Sequence, residues 1–181
     1  MFARLFRKDP MKAVGERLYD AVLAAARRPV LYGPAGAPDT VDGRFDMIVI
    51  HAVLLMRRLR AGGRKGQAAS QALFDRMFDD MDAALREMGT GDLKVGRKIR
   101  EMGEAFYGRA KAYDGALDAG DEAGLADILA RNVVDADGGG DPGAAGRALA
   151  RYMIDSDARL ARQDPGRLAE GMVAPDYAPG L

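Results

Sequence analysis

The feature that most constrains the fold is the spacing of apolar residues, which recur every three to four positions along most of the 181-residue chain. In one stretch the apolar positions are Phe74, Met77, Phe78, Met81, Leu85 and Met88. This interval matches the turn of an α-helix, and no segment alternates apolar and polar residues as a half-buried strand does. The pattern predicts an all-α fold, an irregular bundle of about six helices in a single domain.

Turn and capping residues set the expected helix boundaries. The predicted helices run from Pro10 to Pro29, from about Asp42 to Arg60, from about Gln67 to Met88, from a capping Asp92 to Gly120, from about Glu122 to Arg131 and from about Pro142 to Arg162. The second helix is apolar on nearly every side through Met47–Met56, which places it at the centre of the bundle. Along the chain we expect three parts: a basic amphipathic segment over 1–8, a helical domain over 9–174 and a flexible tail over 175–181. A flexible glycine-rich loop is expected over 137–143.

Several classes of site are excluded by composition. The chain has no cysteine and a single histidine, His51, which rules out disulfides, thiolate catalysis, cysteine-based metal centres and multi-histidine metal sites. We therefore expect no cofactor. No apolar run reaches the roughly 18 residues of a membrane-spanning helix, and Met1–Lys8 is too short for a signal peptide. These features lead us to expect a cytoplasmic protein.

Charge is unevenly distributed although the formal net charge is zero. Residues 1–65 carry 13 Lys and Arg against 6 Asp and Glu, a charge of +7. The arginines that close the second helix are favoured there by the helix dipole, and solubility explains them. Near the start of the fourth helix the dipole does not favour the cations Lys94, Arg97 and Lys98. They serve either solubility or docking on RNA, anionic lipid or an acidic protein.

Three aspartates of the third helix, Asp75, Asp79 and Asp82, share one helix face. Paired aspartates on helices can hold magnesium for pyrophosphate chemistry, but such a site needs a second acidic helix across a cavity. The sequence has no matching cluster, so a solvated face is the favoured interpretation. The magnesium site remains an alternative hypothesis.

His51 lies in the most apolar helix without a serine or cysteine nucleophile near it in sequence. A histidine in that position has no neighbouring group to activate, so it does not indicate catalysis. We expect a core histidine that is hydrogen-bonded to a backbone carbonyl or a carboxylate. The sequence therefore predicts a protein that binds another protein and is not an enzyme.

Two stretches together resemble the ubiquinol–cytochrome c chaperone family, whose members are assembly factors of the respiratory cytochrome bc1 complex. The first is Tyr32–Met47 (YGPAGAPDTVDGRFDM), continuing to His51 and Arg57–Leu59. The second comprises Leu73–Asp82 (LFDRMFDDMD), Leu85–Gly89 (LREMG), Gly91–Gly96 (GDLKVG) and Ala105–Ala110 (AFYGRA). The resemblance covers about 29–117 well, and its length makes it fairly specific.

The resemblance implies an all-helical chaperone that binds newly made cytochrome b, or another bc1 subunit, at the cytoplasmic membrane face. It further implies contact with a second assembly factor and with the ribosome. From the sequence itself we expect weak contact of the N-terminal segment with the membrane surface and, given the zero net charge, no binding to DNA. The missing long presequence suggests a bacterial form. The candidate partner-binding residues are those of the matching motifs together with the basic group: Asp39, Thr40, Arg44, Asp46, Asp79, Asp80, Lys94, Arg97, Lys98, Phe106, Tyr107 and Arg109.

Two alternatives stay open at this stage. One is a small magnesium-dependent enzyme of isoprenoid or quinone metabolism that uses the aspartates of the third helix. The other is a bundle that binds a quinone or lipid between its helices, which predicts a closed apolar pocket.

Overall fold

The computed structural model describes residues 10–134 and 141–180, which form a bundle of helices. The helices are α1 (Pro10–Ala26), α2 (Val41–Leu59), α3 (Gly63–Glu87), α4 (Asp92–Ala119), α5 (Glu122–Leu129), α6 (Pro142–Ala161) and the one-turn α7 (Pro165–Leu168). Outside the helices of this part of the chain, the only β-type pairing is an isolated bridge between Tyr32 and Ala37. The all-α prediction of about six helices is confirmed. The predicted N-terminal segment, 1–8, and residues 137–140 of the glycine-rich loop lie outside the described residues.

Side-chain caps explain where several helices begin. The Thr40 hydroxyl accepts a hydrogen bond from the Gly43 amide at 3.1 Å, and the Asp121 carboxylate accepts one from Gly124 at 2.9 Å. Each satisfies a backbone donor that the first helical turn leaves without a partner. The assignment of Asp92 as a cap is wrong. It is the first helical residue, and Gly91 occupies the N-cap position without a side-chain hydrogen bond.

Helix α2 is the central helix of the bundle, as its apolar sequence predicts. It packs against α1, α3, α4 and α6. Its middle, Val49–Leu55, is buried throughout, with exposures of 2% or less for its apolar side chains. Burying such a segment stabilises the fold because each large apolar side chain removed from water contributes about 1.5–3 kcal/mol. None of the described helices has the combination of length and hydropathy that spanning a membrane requires.

Two glycines allow helices to approach one another closely. A Cβ at Gly15 of α1 would lie 2.4 Å from the carbonyl oxygen of Ala72 in α3. A Cβ at Gly146 of α6 would lie 2.5 Å from the carbonyl oxygen of Ala126 in α5. Both distances are shorter than van der Waals contact, so any larger residue would push the paired helices apart.

The C-terminal residues pack against the bundle, which differs from the flexible tail expected from 175 onwards. Residues Pro175–Tyr177 form a 3-10 turn, and the Tyr177 side chain is 1% exposed. The Arg28 guanidinium donates hydrogen bonds to the carbonyl oxygens of Ala178 and Pro179. The segment lacks helical periodicity because its contacts come from one buried ring and from backbone carbonyls, which leave no repeating pattern in the sequence.

Candidate partner-binding surface

Four aromatic rings form a cluster between α3 and α4. Phe74 and Phe78, one helical turn apart, stack with centroids 4.4 Å apart, and the Phe106 ring meets Phe74 edge-on at 5.4 Å. Tyr107 stacks on Phe74 at 5.4 Å. Phe106 is 2% exposed, whereas Tyr107 is 61% exposed. The buried ring fixes the helix pair, and the exposed ring presents a broad apolar face with a hydroxyl at its edge.

We call Phe74, Phe78, Phe106 and Tyr107 the aromatic surface. Ile99 and Met102 of α4 are partly buried beside the core, so the apolar edge continues toward the start of that helix. Aromatic and methionine side chains are enriched at protein interfaces, and aromatic rings bury a large area at a small entropic cost. An exposed tyrosine on a rigid aromatic base is therefore suited to bind a partner chain.

Arg109, one helical turn beyond Phe106, joins α4 to α2. Its Nη2 lies 3.0 Å from Oδ1 of Asp46, and its guanidinium lies over the Phe45 ring, 5.9 Å from the centroid. Asp46 is 6% exposed, and none of the residues that the structure describes gives its Oδ1 a contact with hydrogen-bond geometry. Burial, opposed by the Arg109 charge, raises the pKa of Asp46 to about 6. Asp46 and Arg109 therefore have an internal contact that links two helices.

Three other predicted residues lie at the start of α2. Thr40 is the N-cap described above, and Arg44 pairs with Asp39, its Nε 2.7 Å from Oδ1. Both side chains of this pair are more than half exposed. The Arg44 hydrogen bond lowers the pKa of Asp39. This pair remains accessible to a partner, whereas Thr40 has a structural role.

The aspartates of α3 are bound mainly within the chain. Asp80 accepts hydrogen bonds from the Tyr19 hydroxyl at 2.9 Å and from Arg76 at 3.2 Å, which ties α3 to α1. Asp79 is exposed and lines a groove between α3 and the start of α1. Asp82 accepts from Arg86 at 2.6 Å. Among the described residues no group of three or more acidic or histidine side chains is placed to hold a metal ion.

The basic group at the start of α4 is on the surface. Lys94 and Lys98 are exposed, and Arg97 pairs with Glu101 one turn along the helix at 3.7 Å. A pair at that distance between two exposed side chains contributes little to stability. These cations are free to interact with an anionic partner.

Sequence reasoning missed the environment of His51. The residue is fully buried, as predicted, but its partners are two tyrosine hydroxyls. Tyr152 lies 3.0 Å from Nε2 and Tyr177 lies 3.4 Å from Nδ1. Burial lowers the pKa of His51 to about 3, which keeps the ring neutral. No local signal could have identified partners more than 100 positions away in the chain.

A second missed feature is an ion-pair network around Arg57. Its guanidinium contacts Asp114 at 3.4 Å, Asp118 at 2.6 Å and Asp157 at 3.1 Å, and Arg60 also contacts Asp114 at 2.7 Å. The network connects α2 with α4 and α6. The cations at the end of α2, interpreted from sequence as solubilising, therefore cross-link the bundle.

The candidate partner-binding residues therefore do not all lie on one surface of the structure. Helix α4 carries Phe106 and Tyr107 of the aromatic surface together with Arg109 and the basic group, and Arg109 connects it to Asp46 near the start of α2. Asp80 is directed toward α1 instead, where it accepts the Tyr19 hydrogen bond.

Comparison with known proteins gives one family. Residues 34–175 match the family model described as ubiquinol-cytochrome C chaperone. This match spans most of the chain, including α2, α3 and α4.

Two individual proteins are similar to this chain. The ubiquinol-cytochrome-c reductase complex assembly factor 1 of Xenopus laevis is 23% identical over 129 residues, which cover 71% of this chain and 64% of that protein. The crystal structure of the Cbp3 homolog from Brucella abortus has a TM-score of 0.78 and 31% identity, covering 99% of this chain and all of that one. The fold similarity therefore extends over essentially the whole chain.

Proposed function

The chain belongs to the ubiquinol-cytochrome C chaperone family, and on that premise we propose that it assists assembly of the cytochrome bc1 complex. In this proposal it binds newly made cytochrome b at the cytoplasmic face of the membrane and releases it to later assembly steps. It acts by binding and not by catalysis. The name of the Xenopus laevis relative, an assembly factor of ubiquinol-cytochrome-c reductase, supports the choice of complex.

The observation that carries the proposal is the exposed Tyr107 on its aromatic base. A chaperone for a membrane protein has to cover apolar segments of its client, and these rings offer an apolar face on a rigid support. Because Phe74, Phe78 and Phe106 are fixed by mutual packing, the ring of Tyr107 is held in place before any partner binds. Such preorganisation lowers the entropic cost of binding.

The basic group at the start of α4 supports an approach to an anionic surface. Lys94 and Lys98 extend from α4, the helix that also carries Phe106 and Tyr107. Cations on a binding helix raise the association rate with an acidic partner, a phosphate-bearing surface or anionic lipid. We propose that they orient the protein toward its client at the membrane or the ribosome, the two contacts expected from the sequence analysis.

Site-specific photo-crosslinking tests the proposed contact. A photoreactive amino acid is placed at Tyr107, and a matched control is placed at Met172, another exposed large apolar side chain, at 43% exposure. In cells that make the bc1 complex, we expect crosslinks to cytochrome b from position 107 and none from position 172. Equal crosslinking from both positions, or crosslinks from 107 only to proteins outside the bc1 complex, would contradict the proposed site.

A further inference from the structure

A half-enclosed cleft of about 570 Å³ lies where α1 ends and α2 begins. Its walls come from the last residues before the 3-10 turn at Pro29, from the following loop and from the first two turns of α2. The lining residues are Arg27, Pro29, Tyr32, Gly33, Asp39, Arg44 and Ile48.

The aromatic part of this cleft is held rigidly. The Tyr32 hydroxyl donates a hydrogen bond to the carbonyl oxygen of Ala26 at 2.5 Å, and the Tyr32 backbone forms the bridge with Ala37. The Arg44 guanidinium lies over the ring, 5.9 Å from its centroid. The Tyr32 hydroxyl is therefore already used in a hydrogen bond within the chain. A ligand that enters the cleft would meet the Tyr32 ring and the guanidinium groups of Arg27 and Arg44.

The charges in the cleft leave an excess of one cation. Arg44 is paired with Asp39, whereas the exposed Arg27 side chain forms no ion pair with any residue that the structure describes. The Arg44–Asp39 pair is itself more than half exposed on both sides. An exposed pair of this kind is weak, so an incoming carboxylate can share or replace Asp39 at low cost.

Apolar side chains adjoin the cations. Pro29 and Ile48 line the cleft, and Val30 and Val41 are two of the few large apolar side chains that remain exposed, at 47% and 74%. Val30 directly follows Pro29, and Val41 directly follows Thr40, so both are close in sequence to residues that line the cleft. A ligand that fits this arrangement carries a negative charge beside an apolar group.

We propose that this cleft binds an acidic side chain of a partner polypeptide, with Arg27 and Arg44 holding the carboxylate and an adjoining apolar residue packed on Pro29 and Ile48. A carboxylate is favoured over a phosphate dianion because its single charge neutralises the one excess cation of the cleft, and because the apolar lining by Pro29 and Ile48 suits an amino-acid residue. The proposal concerns residues outside the aromatic surface. It does not depend on which complex the protein helps to assemble.

Nuclear magnetic resonance on the full chain, labelled with nitrogen-15, tests this directly. The probe is the capped tripeptide acetyl-Ile-Glu-Ile-amide, and its Gln counterpart and inorganic phosphate are the comparisons. We expect the Glu peptide to shift the Nε–H signals of Arg27 and Arg44 saturably, with weak affinity, and to bind more tightly than the other two probes.

Variants separate the site from general electrostatics. Arg27→Gln should weaken binding of the Glu peptide by about threefold to fivefold, the contribution of an exposed charge pair. Asp39→Asn should tighten binding, because it removes the competing carboxylate. The matched control is Arg131→Gln, which removes an exposed arginine from a different part of the chain and should leave binding unchanged.

The proposal would be overturned by any of three results. The first is the absence of saturable shifts at Arg27 and Arg44. The second is equal binding of the Glu and Gln peptides, or equal loss from the Arg27 and Arg131 variants. The third is tighter binding of phosphate, which would assign the cleft to a phosphate-bearing ligand such as a lipid head group. The bc1 content of cells plays no part in these outcomes, so they are independent of the proposed assembly role.

Discussion

Asp46 illustrates how burial can override an opposite charge. Arg109 lies 3.0 Å away, yet the pKa of Asp46 rises to about 6, because desolvation by burial outweighs the attraction to the Arg109 charge. A carboxylate with a raised pKa binds its proton more tightly in the folded state than in the unfolded state. Its stabilising contribution is therefore full below pH 3.8 and is lost as the pH rises through about 6.

Asp46→Asn tests this directly. The stability advantage of the wild type over the variant should fall as the pH rises from 3.8 to 6, by at most about 1.4 kcal/mol per pH unit. Denaturant unfolding at a series of pH values measures it. The difference between the two proteins is needed because His51, with its pKa lowered to about 3, contributes a slope of the opposite sign.

Asp39→Asn is the matched control for that series. The pKa of Asp39 is lowered by Arg44, so its contribution is present at higher pH and is lost as the pH falls. The stability difference for this exposed pair should be small and should not decline between pH 3.8 and 6. A flat or rising difference for Asp46→Asn would show that Asp46 is ionised and well solvated in the folded protein.

Tyr177 provides a residue-scale test of the packed C-terminal segment. Its ring is buried against His51, and among the described residues its hydroxyl makes two long contacts, 3.4 Å to Nδ1 of His51 and 3.5 Å to the Ala21 carbonyl. Tyr177→Ala should lower the free energy of unfolding by about 3–5 kcal/mol, whereas Tyr177→Phe should cost about 1 kcal/mol or less.

Thermal and denaturant unfolding check both variants. The exposed Tyr107→Ala variant, which should change stability far less, is the control. If Tyr177→Ala unfolds like the wild type, the segment from 175 is the flexible tail that the sequence predicts, and the packing described above is wrong.

At the scale of elements, α4 is a long helix that contains glycines without internal neighbours. A Cβ added at Gly96, Gly108 or Gly115 would meet nothing within 4 Å. Glycine within a helix lowers stability relative to alanine, because it loses more conformational entropy on folding. These positions therefore weaken α4, and no residue that the structure describes makes a compensating close contact with them.

We expect Gly96→Ala and Gly115→Ala each to raise the free energy of unfolding by about 0.5–1 kcal/mol. Gly15→Ala, where the added Cβ would lie 2.4 Å from the Ala72 carbonyl, should instead destabilise the protein. Urea unfolding of the three variants measures whether each substitution raises or lowers the free energy of unfolding. A loss of stability in both α4 variants would mean that other atoms cover α4 at Gly96 and at Gly115 in the folded protein.

The sequence predicted elements better than it predicted their ends and connections. Apolar spacing located α2 and α3, and glycines or prolines bounded most helices correctly. The assignment of Asp92 failed because an aspartate is favoured both at the N-cap and in the first turn, where it interacts with the helix dipole. The one-turn helix Pro165–Leu168 was missed because four residues are too few to show a period.

At the scale of the whole molecule, the sequence provided candidate site residues but did not show which of them come together. Phe106 and Tyr107 are adjacent in sequence and were both selected, yet only the fold shows that one is core and the other exposed. Asp46 and Arg109 were selected independently and turn out to form one ion pair between α2 and α4. Contacts between residues that are far apart in the sequence depend on how the helices pack, and local sequence patterns carry no signal for that packing.

The central claim is that the chain is needed to assemble the bc1 complex. Its most direct test is the amount of assembled bc1 complex in membranes from a strain that lacks this gene. The account predicts loss of the assembled complex while the cytochrome b transcript is intact, with recovery when the gene is restored. Normal bc1 content in the deletion strain would contradict the assembly role.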